Sequence, residues 1–198
     1  NELKRYTGEV YYDLPRLKNL FQKMKKEAWT VEYLISRING YIELVPYMEE
    51  FKYKKKFKDN NVGDLKKEGK NEIERMKKLK DAVNLYPNFQ LKMKESGRYT
   101  YDDMILWVLD AFSTNKNLLL NYQERFQYFL IDEFQDTSGS QSKLMYYLIS
   151  YFDNPDVFVV GDDDQSIYSF QDANVKNIED FRNLFKENLT KVVLEENY

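Results

Sequence analysis

Two short apolar runs, each cut off by acidic residues and separated by one helix length of chain, constrain this sequence most. Tyr128-Phe129-Leu130-Ile131 ends in Asp132-Glu133, and Val157-Phe158-Val159-Val160 ends in Gly161-Asp162. Between them Leu144, Met145, Leu148, Ile149 and Phe152 recur at the spacing of one helical face. Apolar runs of this length alternating with helices are the pattern of parallel strands in an α/β sheet. A helix expected around Asn177 to Phe185 is followed by Val192-Val193-Leu194, a third strand candidate. Ligands of open parallel sheets bind beyond the carboxyl ends of the strands, and both acidic clusters fall at that edge.

The first hundred residues have a different period. Leu14, Leu17, Leu20, Phe21, Met24 and Ala28 follow helical spacing, as do Val31, Leu34, Ile35 and Ile38. Asn39-Gly40 is expected to end that helix, and Pro46 to punctuate the next segment. Lys52 to Lys70 is polar and basic, and reads as an exposed, mobile connection. Ile73, Met76, Val83 and Tyr86 mark another amphipathic helix, which Pro87 is expected to stop. After Glu95-Ser96-Gly97, Thr100 is placed to cap a helix from Tyr101 to about Phe112, with Asp102 and Asp103 in its first turn. The expected organisation is a helical unit over residues 1–98 and an α/β unit over residues 99–198.

Charge divides along similar lines. Residues 51–100 hold 15 Lys/Arg against 7 Asp/Glu, a balance of +8, whereas residues 101–198 hold 7 against 18, a balance of −11. A basic segment suits a polyanion and an acidic one places carboxylates near a cation, although solvated helix faces carry such runs too. The chain has no cysteine and no histidine. Disulfides, thiolate metal sites, Ser-His-Asp hydrolysis and histidine-bound zinc are thereby excluded within it. No run approaches the roughly 18 apolar residues of a membrane span, and no secretory signal opens the chain, so a cytoplasmic setting without membrane partners is expected. The sequence begins with Asn1 instead of Met, as expected of a chain processed or excised from something longer.

A carboxylate at a strand end can hold Mg²⁺ beside nucleotide phosphates, and an adjacent glutamate can orient and deprotonate an attacking water. An isolated Asp-Glu pair after a strand is equally a solvated strand end. The continuation carries more. Asp132-Glu133-Phe134-Gln135-Asp136-Thr137 resembles the extended Walker B motif of the UvrD/Rep branch of superfamily 1 helicases. Val160-Gly161-Asp162-Asp163-Asp164-Gln165-Ser166-Ile167-Tyr168 resembles that family's next motif, VGDxxQSIY. Leu194-Glu195-Glu196-Asn197-Tyr198 looks like the start of the following one, and Tyr101-Asp102-Asp103-Met104-Ile105 is similar to the Phe-Asp-Asp-Leu stretch upstream of Walker B. The four occur in family order, beside the expected strands and helices.

The resemblance covers residues 100 to 198 with specific motifs; the first hundred match only in character. It implies part of a RecA-like (P-loop NTPase) parallel sheet with an attached all-helical subdomain, the latter an insertion in the first motor domain. It implies a fragment of an ATP-dependent DNA helicase or translocase, with ATP and Mg²⁺ as cofactors. Single-stranded DNA, a duplex junction and the remainder of the helicase chain are the implied partners. By the same resemblance Asp132 would hold Mg²⁺, Glu133 would be the catalytic base and Gln165 would sense the γ-phosphate. Tyr198 would stack on adenine, and Tyr168 and Phe170 on DNA bases. Core packing is the competing reading of those two aromatics.

Departures from the pattern accompany it. Phe170-Gln171-Asp172-Ala173 lacks the arginine and glycine usual in the family, which weakens the expected DNA grip there. Asp162, Asp163 and Asp164 suggest a Ca²⁺ loop, but the spacing and terminal glutamate of an EF-hand are missing. No GxxxxGK[ST] phosphate cradle occurs; Gly63 to Gly69-Lys70-Asn71 has the wrong spacing and ends in asparagine. The chain alone is therefore expected to be inactive as an ATPase. The alternatives are a non-catalytic nucleic-acid-binding module that keeps the helicase fold, or a purely protein-contacting remnant.

Overall fold

The computed structural model describes residues 13–56, 60–162, 175–186 and 188–193. The chain divides into two compact units, Asn1–Thr100 and Tyr101–Tyr198.

The first unit is helical, with α1 Leu14–Lys26, α2 Val31–Leu44, α3 Lys67–Asn84 and α4 Tyr86–Glu95. The Thr30 hydroxyl accepts the Tyr33 N–H at 3.1 Å and so caps α2. The periodic apolar residues converge on one core of Phe21, Met24, Ile38, Val83 and Tyr86, with Leu17, Leu34, Ile35, Met76 and Phe89 packed against it. The Phe21 ring lies 4.9 Å from Phe89 and 5.4 Å from Tyr86. Lys25 is buried beside this cluster; its Nζ donates to Thr100 Oγ1 at 3.4 Å and sits 5.3 Å from the Phe89 ring centre.

The structure refines the local signals at three places. Asn39-Gly40 does not end α2, which continues to Leu44. A mid-helix glycine costs about 1 kcal/mol, and the packing of Ile35, Ile38 and Ile42 on either side offsets it. Asn39 instead accepts from Lys80 Nζ on α3 at 3.0 Å. Pro87 marks both a stop and a start: α3 ends at Asn84, just ahead of it, and a new helix begins at Tyr86. It lies in the first turn of α4, where a missing N–H has no intrahelical partner to lose. The segment expected to be a mobile connection is hydrogen-bonded: Lys52 bridges Leu65, Lys66 N–H donates to Phe51 C=O at 2.8 Å, and Tyr53 N–H to Asp64 C=O at 3.0 Å. Its last four residues already belong to α3.

The second unit runs α5 Tyr101–Thr114, α6 Lys116–Arg125, β1 Tyr128–Ile131, α7 Gly139–Ile149, β2 Asp156–Val159 and α8 Val175–Leu184. β1 and β2 pair in parallel, from Tyr128 opposite Asp156 to Ile131 opposite Val159. The Ser138 side chain accepts the Gln141 N–H while Gln141 accepts the Ser138 N–H, a capping box that fixes the start of α7. Phe129, Ile131, Val157 and Val159 lie on the core made by Phe134, Met145, Ile149, Ile178 and Phe181. The opposite face of the pair, Tyr128, Leu130 and Phe158, is exposed. Val192 and Val193 lie outside any ladder and are exposed, so among the described residues the expected third strand does not form. β-branched residues make a strand only where a neighbour completes the hydrogen-bond ladder. Leu194 lies outside the described residues. The architecture is thus helix-rich with a small parallel sheet. No described helix is long and apolar enough to cross a membrane.

Candidate active site at the carboxyl ends of the strands

β1 stops at Ile131, and the next two side chains, Asp132 and Glu133, are both exposed. Glu133 has φ 48° and ψ 45°, the left-handed region, which a non-glycine residue adopts at a cost. That conformation turns the chain sharply from the strand into a 3₁₀ turn over Phe134–Asp136. It is held from several sides. Glu133 N–H donates to Asp132 Oδ1 at 2.9 Å, and Asp136 N–H to Glu133 C=O at 2.9 Å. The Phe134 side chain is buried against the Phe181 ring, 5.4 Å away and edge-on.

The ladder continues past the ends of both strands. Val160 N–H donates to Ile131 C=O at 2.8 Å, and Phe134 N–H to Val160 C=O at 3.0 Å. Gln135, only 3% exposed, sits at this junction. Its Nε2 donates to Glu133 Oε2 at 2.6 Å, and its Oε1 accepts the Asp162 N–H at 3.1 Å. One buried amide therefore ties the acidic end of β1 to the acidic end of β2. Gly161 makes room for it: a Cβ there would stand 2.8 Å from Gln135 Oε1 and 3.3 Å from the Phe134 nitrogen. Behind the turn, Asn177 Nδ2 on α8 donates to Thr137 C=O at 2.6 Å.

Of the residues expected to form a site, Asp132 and Glu133 stand adjacent at the strand end, and Asp162 is joined to Glu133 through Gln135. Gln165, Tyr168, Phe170 and Tyr198 lie outside the described residues, as do Asp163, Asp164, Gln171 and Asp172. Gln135 and Gly161 are the positions that sequence reasoning passed over, although both lie inside the quoted motifs. A signal for Gln135 was present, because a polar residue next to a buried phenylalanine at a strand-end turn needs partners for its amide.

The donor set suits a hard cation. Among the described residues no cluster of three or more metal-ligating side chains occurs. Mg²⁺ beside a nucleotide is held by one or two carboxylates, with phosphates and water completing its shell, and exposed Asp132 and Glu133 fit that requirement.

A UvrD/REP helicase N-terminal domain family model matches residues 9–186 of the chain. The chain is 37% identical over 117 residues to an ATP-dependent DNA helicase PcrA from Leuconostoc citreum, covering 59% of this chain and 15% of that protein. It is 34% identical over 142 residues to an ATP-dependent DNA helicase PcrA from Staphylococcus aureus strain Mu50, covering 69% of this chain and 19% of that protein. The matched stretch thus spans less than a fifth of either relative. With most of its length inside one family model, the parallel strand pair and the acidic turn included, the chain belongs to the UvrD/Rep helicase N-terminal domain family.

Proposed function

We propose that the chain is part of an ATP-dependent DNA helicase or translocase and supplies the acidic side of its nucleotide site. In this reading residues 99–198 belong to a RecA-like motor domain and residues 1–98 to a helical insertion within it. The observation that carries the reading is the Gln135 bridge. It orients the Glu133 carboxylate and fixes the Asp162 backbone, at the edge where a parallel sheet binds its ligand.

Asp132 offers an exposed hard oxygen donor, and with its Oδ1 engaged by the Glu133 N–H, Oδ2 is the atom that would face Mg²⁺. When bound there, Mg²⁺ neutralises charge on the transferred phosphate. Glu133, aimed by Gln135, positions a water and takes its proton. Gln165, following Asp162 closely in sequence, contacts the γ-phosphate. Tyr168 and Phe170 stack on bases of single-stranded DNA, so that nucleotide sensing and base grip lie close together in the sequence. Tyr198 stacks on the adenine.

The test is Mg²⁺-dependent, DNA-stimulated ATP hydrolysis by the longer protein carrying this chain. Glu133→Gln is expected to lower kcat by about 10²–10⁴-fold while nucleotide still binds. Wild-type turnover in that variant would overturn the reading. A full-length protein that binds single-stranded DNA but never hydrolyses ATP would favour a non-catalytic binding module. The 198-residue chain contains no GxxxxGK[ST] sequence and is expected to show negligible turnover alone.

A further inference from the structure

We infer that the cavity between the carboxyl ends of α7 and α8 docks an arginine of a partner protein, presented on a short segment with apolar neighbours. The cavity lies at the amino end of β2, the end of the sheet opposite the acidic turn. It shares no residue with the proposed nucleotide and DNA contacts.

The space suits a peptide segment. It measures about 850 Å³ and is open to solvent, more than one side chain fills and within the ordinary range of ligand pockets. Ile149, Phe152, Leu184 and Phe185 give it an apolar lining. Two of those rings are held by neighbours: Phe185 lies 4.8 Å from the Phe181 ring, and Phe152 stands edge-on to Tyr151 at 5.1 Å. They offer fixed aromatic faces.

One polar group in the lining is unsatisfied. The Tyr146 hydroxyl is buried and has no hydrogen-bond partner among the described residues. Buried hydroxyls normally find a partner, and one that has none is a place for a ligand atom. Burial, and after it the charge of Asp180, push the Tyr146 hydroxyl above its ordinary pKa, so it stays neutral and keeps both a proton to give and lone pairs to accept with.

Charge selects the partner. Asp153 and Asp180 line the cavity with exposed carboxylates, and neither has an ion pair among the described residues. Lys186 is the one base in the lining among those residues. Two helices also end here, α7 at Ile149 and α8 at Leu184, so the negative ends of both dipoles face the same space. A cation is favoured by each of these features. Guanidinium fits best, because its plane lies on an aromatic ring while its N–H groups reach a carboxylate and the Tyr146 oxygen together. An ammonium has the charge without the plane. An anionic segment meets charges of its own sign.

The test titrates the isotope-labelled 198-residue chain with acetyl-Leu-Arg-Leu-amide and follows backbone amide shifts by NMR. Saturable shifts are expected at Ile149, Ser150, Asn183 and Phe185. Citrulline in place of the arginine keeps the shape and loses the charge, and is expected to weaken binding about tenfold, as is Asp180→Asn in the protein. Lysine at that position should bind several-fold more weakly. Tyr146→Phe is expected to weaken binding severalfold while leaving the urea midpoint unchanged or raised, since its hydroxyl has no partner to lose in the free chain. A tyrosine with a structural role only would show the reverse, a lower midpoint with binding unmoved, and that result overturns the inference. So does a peptide that shifts nothing at the cavity, a citrulline, lysine or glutamate peptide that binds as well, or an Asp180→Asn chain that binds like wild type. No nucleotide or DNA is present in this titration, so its failure leaves the Glu133→Gln outcome standing, and the converse holds.

Discussion

Gln135 is a small side chain with two obligations, and they meet at Gly161. Its amide is buried, donates to Glu133 and accepts from Asp162. Gln135→Ala removes the Oε1 acceptor of the Asp162 N–H and the Nε2 donor to the Glu133 carboxylate. A loss of about 1–3 kcal/mol is expected in urea unfolding, together with slower hydrolysis in the longer protein. Gly161→Ala pushes a methyl against that amide and against the backbone of Phe134, and is expected to cost about 1–3 kcal/mol. The double variant is the sharper measurement. Removing the Gln135 side chain also removes the 2.8 Å obstruction, so the two losses should sum to more than the loss measured together; strict additivity would show that the contact does not matter. At this scale the acids themselves were legible, because a strand ending in Asp-Glu can be seen in the sequence. The bridge was not. It depends on Asp162, 27 residues after Gln135, and on a close approach that only glycine permits, neither of which has a local signature.

Elements were legible where apolar periodicity was long, and misread where a single residue was taken as punctuation. The heptad-like rows of α1, α2 and α3 are the residues that form the first core. Asn39-Gly40 carries a local preference of about 1 kcal/mol, which packing outweighs, whereas Pro87 does end α3 and in addition opens the next helix. The short strands were found because both runs are apolar and bounded by acids. Among the described residues the pair at Val192-Val193 has no neighbouring strand, something no propensity can report. The start of α7 offers a direct check at this scale. Ser138 caps that helix and its Oγ also lies 3.0 Å from buried Ser140 Oγ, so Ser138→Ala removes a cap and leaves a buried hydroxyl short of a partner. A loss of about 1–2 kcal/mol is expected in the urea midpoint of the second unit, with Ser138→Asp recovering much of it through the same N–H; a midpoint unmoved by Ser138→Ala would show that α7 is fixed by its packed face alone.

At the scale of the whole chain the sheet is the exposed element. A parallel pair normally has cover on both faces, because its strands are apolar on each. Here α7 and α8 supply core residues against one face, while Tyr128, Leu130 and Phe158 on the other are 73%, 80% and 62% exposed. Among the described residues the sheet has two strands, few for a stable sheet. An apolar surface of this kind seeks a partner. The 198-residue chain is therefore expected to self-associate with rising concentration, read as an increase in weight-average mass by sedimentation equilibrium. Leu130→Lys with Phe158→Lys places two charges on the bare face without touching Phe129, Ile131, Val157 or Val159, which hold the core. That variant should stay monomeric at concentrations where wild type associates, with its unfolding midpoint changed by less than about 1 kcal/mol. Equal association in both would place the sticky surface elsewhere, and the row of exposed side chains on α5 at Tyr101, Met104 and Trp107 would be the next to change.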